Sequence, residues 1–267
     1  MPMRKRIVIS GYCTLDQVIR EGKSLPPRFG GAVLYAGVPL AREGHIVTPL
    51  GRIGGDKEGA RYLEAARGRG LDTTGLALDA SAETARCLMV YRNEDLCDCV
   101  MQRDDEPLTP AQISLAGRAD LLMVTAAGAE ASRQMIDAAP PGALVAWVAK
   151  DDEICFPADL RERLTERADV IFCTRAERPA IDAAGSPARP GQIVFETRGA
   201  EGGVVLSNAG EQAFAATPVQ VADATGAGDT FAGAVLAALL EGDVAERAAA
   251  RGADAARAFL LERAAHE

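Results

Sequence analysis

The chain has 267 residues, 48% of them hydrophobic and 25% charged, and carries a formal net charge of −9. That balance supports a sizeable globular core. Without a long Lys/Arg run it argues against a nucleic-acid partner. No run of about eighteen apolar residues is present, so no membrane partner is expected.

The first residues pass from "RKR" straight into "IVISG", with no apolar signal region, so the expected compartment is the cytoplasm. Arg6 to Gly11 is β-branched and reads as a buried strand, and Ala32 to Gly44 reads as a helix stopped by its glycine. "HIVTPLG" reads as a strand and Asp56 to Gly70 as a helix with an acidic start. Two segments break the strand–helix rhythm. Thr14 to Gly31 is irregular, and Ala85 to Gln102 looks like two strands around the polar turn "RNED". The rhythm then resumes with strand "ADLLMVTA", helix "EASRQMIDAA", strand "GALVAWVA", helix "PADLRERLTERA" and strand "DVIFC". Helix "RAERPAIDAAG", strand "GQIVFETRG", a hairpin over "GGVVLSNAGEQAFAA" and two closing helices follow.

Alternating strands and helices imply an α/β fold, three layers with a mostly parallel central sheet. No Pro/Gly/Ser-rich linker divides residues 1–267, so a single domain is expected, with a small β lid from segments near 14–30 and 85–102. Six cysteines complete no zinc pattern and read as reduced structural thiols.

The segment "VADATGAGDTFAG" holds the most chemistry. Gly226, Ala227 and Gly228 precede an apolar helical run, so their amides crown a helix N-terminus and attract an anion. Asp229 sits in the first turn. It is either a helix-start carboxylate or a base that activates a hydroxyl toward a phosphate held by those amides. The segment alone leaves both open. Gly30 and Gly31 read either as a tight turn or as backbone against a polar ligand. Asp16 follows the first strand, where open α/β sheets bind ligands, and can accept hydrogen bonds from two hydroxyls of a polyol. Thr197 and Gly199 in "TRGAEGG" offer a hydroxyl and open backbone, though a hairpin turn explains them equally. Lys150 to Glu153 reads mainly as a solvated strand end.

Taken together these residues resemble the ribokinase-like, or PfkB, carbohydrate kinase family. "DATGAGDTFAG" is similar to its C-terminal signature, and "GGAVLYAGVPLAREG" has the framing of its N-terminal motif. "LGRIGGDKEG" resembles the G-x-x-G-x-D-x-x-G that follows, and "TRGAEGG" the T-x-G-x-x-G nucleotide loop. The resemblance implies a ribokinase-like fold with a small lid and transfer of the γ-phosphoryl of ATP, with Mg²⁺, to a substrate hydroxyl. It implies Asp229 as base, Gly226, Ala227 and Gly228 as anion hole, and Asp16, Gly30, Gly31 and Tyr35 at the substrate. It also implies Thr197, Gly199 and Gly202 at the nucleotide and Glu177 holding Mg²⁺ through water. A monovalent-cation site near Asp223 is compatible with it, and the oligomeric state is left between monomer and homodimer.

Three departures stand out. Tyr35 replaces an Asn common in sugar-kinase members, Thr174 replaces the Asn of N-x-x-E in "TRAE", and the span from Asp16 to Gly30 is short, implying a reduced lid. The leading expectation is a kinase for a sugar or an inositol-like cyclic polyol. A nucleoside kinase and a catalytically silent ligand-binding protein on the same fold are the alternatives.

Overall fold

The computed structural model describes residues 4–92, 95–103, 105–183, 185, 189–221 and 223–265. Asn93 and Glu94 of the "RNED" turn lie outside the described residues.

A nine-stranded sheet forms the centre. Its strands are β1 (Arg6–Ser10), β5 (Ile46–Gly54), β6 (Leu76–Asp79), β9 (Leu121–Val124), β10 (Leu144–Val148), β11 (Val170–Thr174), β12 (Ile193–Thr197), β13 (Gly203–Ser207) and β14 (Gly210–Phe214). The order is β14-β13-β12-β11-β10-β9-β1-β5-β6. Every neighbouring pair from β12 to β6 is parallel, and β13 and β14 add an antiparallel edge. The strand order reverses at β1, which pairs with β5 on one side and β9 on the other, so a crevice opens at the carboxyl ends there.

Period-two alternation divides the core. Leu121 and Met123 of β9 face one hydrophobic cluster, and Leu122 and Val124 face the other. The first cluster packs under α1 (Ala32–Arg42), α2 (Lys57–Gly68), α7 (Ala227–Leu240) and α8 (Ala245–Ala264). The second packs under α3 (Pro110–Ala116), α4 (Ala129–Asp137), α5 (Ala158–Arg167) and α6 (Arg178–Ala183). Both faces are therefore covered, which is why β9 is buried along its whole length. No helix among the described residues is long and apolar enough to cross a membrane.

The rhythm-breaking segments pair with each other. β2 (Thr14–Arg20), β3 (Lys23–Ser24), β4 (Arg28–Gly30), β7 (Arg86–Arg92) and β8 (Asp95–Met101) form a separate sheet ordered β3-β2-β7-β8, with β4 also on β2. β2 leaves the carboxyl end of β1 after Gly11–Cys13 and runs parallel to β7. This small sheet is thus rooted at the crevice.

Three elements differ from the sequence expectation. β6 carries no strand signal of its own and exists by pairing with the end of β5. α3 was not anticipated, although Thr109 and Gln112 form a capping box with Pro110 at the helix start. The helix expected over "RAERPAIDAAG" starts only at Arg178, because Thr174 to Glu177 form a turn closed by the Glu177 N–H on the Thr174 carbonyl at 3.2 Å.

Candidate active site

α7 begins where the backbone cannot continue as an ordinary turn. Gly226 caps it at φ 86°, in the left-handed region, and a Cβ there would lie 2.6 Å from the Tyr35 ring. Thr230 N–H bonds the Gly226 carbonyl at 2.9 Å, closing the first turn. The three amides expected to act alike do not. Ala227 N–H already bonds the Ala224 carbonyl at 3.1 Å, whereas the Gly226 and Gly228 amides make no hydrogen bond among the described residues. Ala227 is therefore not a free donor; Gly226 and Gly228 are.

Asp229 follows in this turn. Its Oδ1 is buried without a hydrogen-bond partner. Burial pushes its carboxyl above the usual carboxylate range, and the Lys150 ammonium opposes that push. Lys150 comes from the end of β10, so the charged cluster there is more than a solvated strand end. Its neighbour Asp152 holds Arg103 at 2.7 Å and accepts the Ile154 and Cys155 amides.

Asp16 lies on β2 and is buried. Both oxygens are engaged: Thr14 Oγ1 donates to Oδ1 at 2.6 Å and Tyr35 Oη to Oδ2 at 3.1 Å. Burial raises its pKa to about 6, against the lowering effect of those two hydrogen bonds. Gly30 exists to let that carboxylate in, since a Cβ on Gly30 would lie 1.8 Å from Asp16 Oδ2. The Gly30 carbonyl accepts the Tyr62 hydroxyl at 2.9 Å, and the Gly31 carbonyl accepts the Leu34 and Tyr35 amides. Asp16, Gly30, Gly31, Tyr35 and Gly226 thus form one contiguous group, with the Tyr35 ring as the link between Asp16 and the start of α7.

The second group forms around β11 and β12. Thr174 and Thr197 are register partners, and Arg175 N–H bonds the Thr197 carbonyl at 3.2 Å. Thr197 Oγ1 reaches the Cys173 carbonyl only at 3.4 Å. Gly199 opens a short 3₁₀ turn ending at Glu201, and Gly202 N–H bonds the Gly199 carbonyl. Glu177 Oε2 accepts the Thr174 amide at 2.7 Å, leaving Oε1 without a hydrogen bond among the described residues. One carboxylate oxygen free toward solvent suits Mg²⁺, which keeps several waters and takes few protein ligands.

The loop entering α7 carries a further cluster around Asp223, whose arginine partners the sequence does not reveal. Asp223 is buried and pairs with Arg263 of α8 at 2.7 Å and Arg28 of β4 at 3.3 Å. The spacing of forty residues between Asp223 and Arg263 left no local signal. A small cavity of about 40 Å³ beside Gly11, Cys13 and Gly51 lies at the ends of β1 and β5 rather than at Asp229.

The sequence matches the family model described as pfkB family carbohydrate kinase over residues 6–267. Fructokinase-1 of Oryza sativa subsp. japonica is 25% identical over 276 residues, covering 90% of this chain and 85% of that protein. A 5-dehydro-2-deoxygluconokinase of Listeria monocytogenes is 27% identical over 275 residues, covering 90% of this chain and 83% of that one. Among solved structures, a nucleoside kinase of Burkholderia thailandensis in complex with inosine matches with a TM-score of 0.78 at 18% identity, over 96% of this chain and 91% of that one. That last likeness is one of fold.

Proposed function

The chain belongs to the pfkB family of carbohydrate kinases, phosphotransferases with an alcohol group as acceptor, and we propose that it moves the γ-phosphoryl of ATP to a hydroxyl of a sugar or cyclic polyol at the entrance of α7. The observation that carries this reading is Asp229 Oδ1, buried and unpartnered one residue from the free Gly228 amide.

In this reading Asp229 takes the acceptor proton as the acceptor oxygen bonds to phosphorus. The bond between the γ-phosphorus and its bridging oxygen breaks, and ADP departs with the electron pair. Burial raises the basicity of Asp229, and the Lys150 ammonium opposes that rise by favouring the carboxylate. The Gly226 and Gly228 amides and the α7 dipole face the charge that develops on the phosphoryl oxygens. Asp16 receives an acceptor hydroxyl in place of the Tyr35 hydroxyl, so binding exchanges one hydrogen bond for another. Gly30 and Gly31 act by shaping the backbone around that carboxylate. Thr197, Gly199 and Gly202 would meet the nucleotide phosphates. Kinases of this family use ATP with Mg²⁺. Glu177 would hold that ion through water, and the ion when bound neutralises phosphate charge.

The test is ADP release across sugars, inositols and nucleosides. Turnover with a sugar or polyol supports the reading, and turnover with nucleosides alone replaces it with a nucleoside kinase. Ligand binding without any turnover would favour a silent binding protein. Asp229→Asn should lower kcat by about 10²–10⁴-fold with the fold intact. Full turnover in that variant would sink the mechanism.

A further inference from the structure

Arg263 occupies the last turn of α8, yet its side chain is only 6% exposed. Its guanidinium does not form the usual fork on a carboxylate. A single nitrogen, Nη1, meets three oxygens: the Thr225 carbonyl at 2.6 Å, Asp223 Oδ2 at 2.7 Å and the Asp223 carbonyl at 3.4 Å. Two carbonyls and a carboxylate converging on one positive atom is the donor set of a hard monovalent cation. Nη2 turns away to the Tyr35 hydroxyl at 3.4 Å. The guanidinium carbon stands 4.7 Å from the Phe259 ring centroid and 5.6 Å from that of Tyr35, so aromatic faces hold the charge in place. The same two residues lead into Gly226. Asp223 Oδ1 accepts the Thr225 amide at 2.9 Å, and the next residue is the α7 cap. A free monovalent ion near Asp223 does not fit this arrangement, because its oxygens are already spent on Nη1.

We propose that Arg263 is a tethered cation for the Asp223–Thr225 loop, replacing a free monovalent ion, so that the loop and the turnover it supports are indifferent to K⁺. Arg263 is a positioning residue here: its contacts are to the Asp223–Thr225 loop and Tyr35, and it acts by fixing the loop that sets Gly226. A buried carboxylate and two carbonyls need a positive partner in any case. Supplying it from α8 couples the C-terminal helix to the start of α7. The effect on turnover rests on the kinase reading above, whereas the effect on ion-dependent stability does not.

The experiment measures Tm and kcat for the full chain and for Arg263→Ala in KCl and in choline chloride at equal ionic strength. The unsubstituted chain should give the same Tm and kcat in both salts. Arg263→Ala should lose several degrees and most of its kcat in choline, and recover part of each in KCl, because an ion binding only the folded state stabilises it. KM for ATP should change less than kcat. Arg263→Lys, which keeps a point charge, should remain largely ion-independent. A severalfold activation or a clear Tm rise by K⁺ in the unsubstituted chain would overturn the proposal, and needs no variant to fold. Equal Tm of Arg263→Ala in the two salts would also overturn it, leaving Arg263 a packing residue. If no acceptor supports turnover, the Tm arm still decides this point, so its failure is separable from that of the kinase reading.

Discussion

Asp16 and Tyr35 show how a single contact sets chemistry. The Asp16 carboxyl titrates at about 6, above the ordinary value of about 3.9, because burial outweighs the hydrogen bonds from Thr14 and Tyr35. The folded chain therefore binds a proton more tightly at this site than the unfolded chain does. That contribution to stability is fully present below about pH 4 and is lost as pH rises through about 6. Asp16→Asn should remove this dependence. Urea unfolding between these limits should show the variant's stability relative to the parent rising with pH, by up to about 3 kcal/mol. A parallel pH dependence in the two proteins would refute it. Tyr35→Phe deletes a hydrogen bond that favours ionised Asp16, so its acid limb of kcat/KM should move to higher pH. Sequence position alone identified Tyr35 as unusual but not why. Its ring lies against Gly226 and its hydroxyl on Asp16, contacts between residues 191 positions apart and 19 positions apart.

At the scale of elements, α7 was legible because its start is chemically abnormal: small residues, a carboxylate and then an unbroken apolar run. Gly226→Ala tests that start. A side chain would sit in the left-handed region and overlap the Tyr35 ring, costing about 2 kcal/mol or more and misaligning the free amides. Tm should fall and turnover collapse together. Adding Tyr35→Ala should restore only the share due to overlap, since the backbone strain stays. α3 was overlooked although its T-x-x-Q capping box is a local signal, and Gln112 proves structural as well. Its amide donates to the Gly51 and Gly75 carbonyls, bracing β5 against the turn before β6. β6 had no such signal. Four residues at a sheet edge acquire strand geometry from the neighbour they pair with.

For the whole molecule, the lid and the C-terminal helix meet on one loop. Arg20 reaches the Val221 carbonyl, Arg28 pairs with Asp223, and Thr225 Oγ1 touches Met89 Sδ, while Arg263 of α8 holds the same loop. The small sheet and the start of α7 are thereby linked. Arg28→Ala should leave the chain folded, since Asp223 keeps its closer partner Arg263 at 2.7 Å. Amide exchange in β2 and β7 should accelerate, and KM for the acceptor should rise severalfold as the lid closes less firmly. Unchanged exchange in those strands would separate the lid from the loop.

By itself the sequence determined the layered α/β architecture, because hydrophobic periodicity and strand–helix alternation are local properties of the chain. It also marked the stretches around Asp16, Gly30, Asp229 and Thr197, because glycines and carboxylates at helix entrances are rare without a reason. Only the tertiary structure decided which of them share a site. It joined Asp16, Tyr35 and Gly226 into one group, engaged the Ala227 amide, and set Lys150 near Asp229. It also brought Arg263 to Asp223 from forty residues away. Hydrogen bonds and charge pairing act over a few ångströms whatever the separation along the chain, so the contacts that tune this site come into being only once the helices have packed.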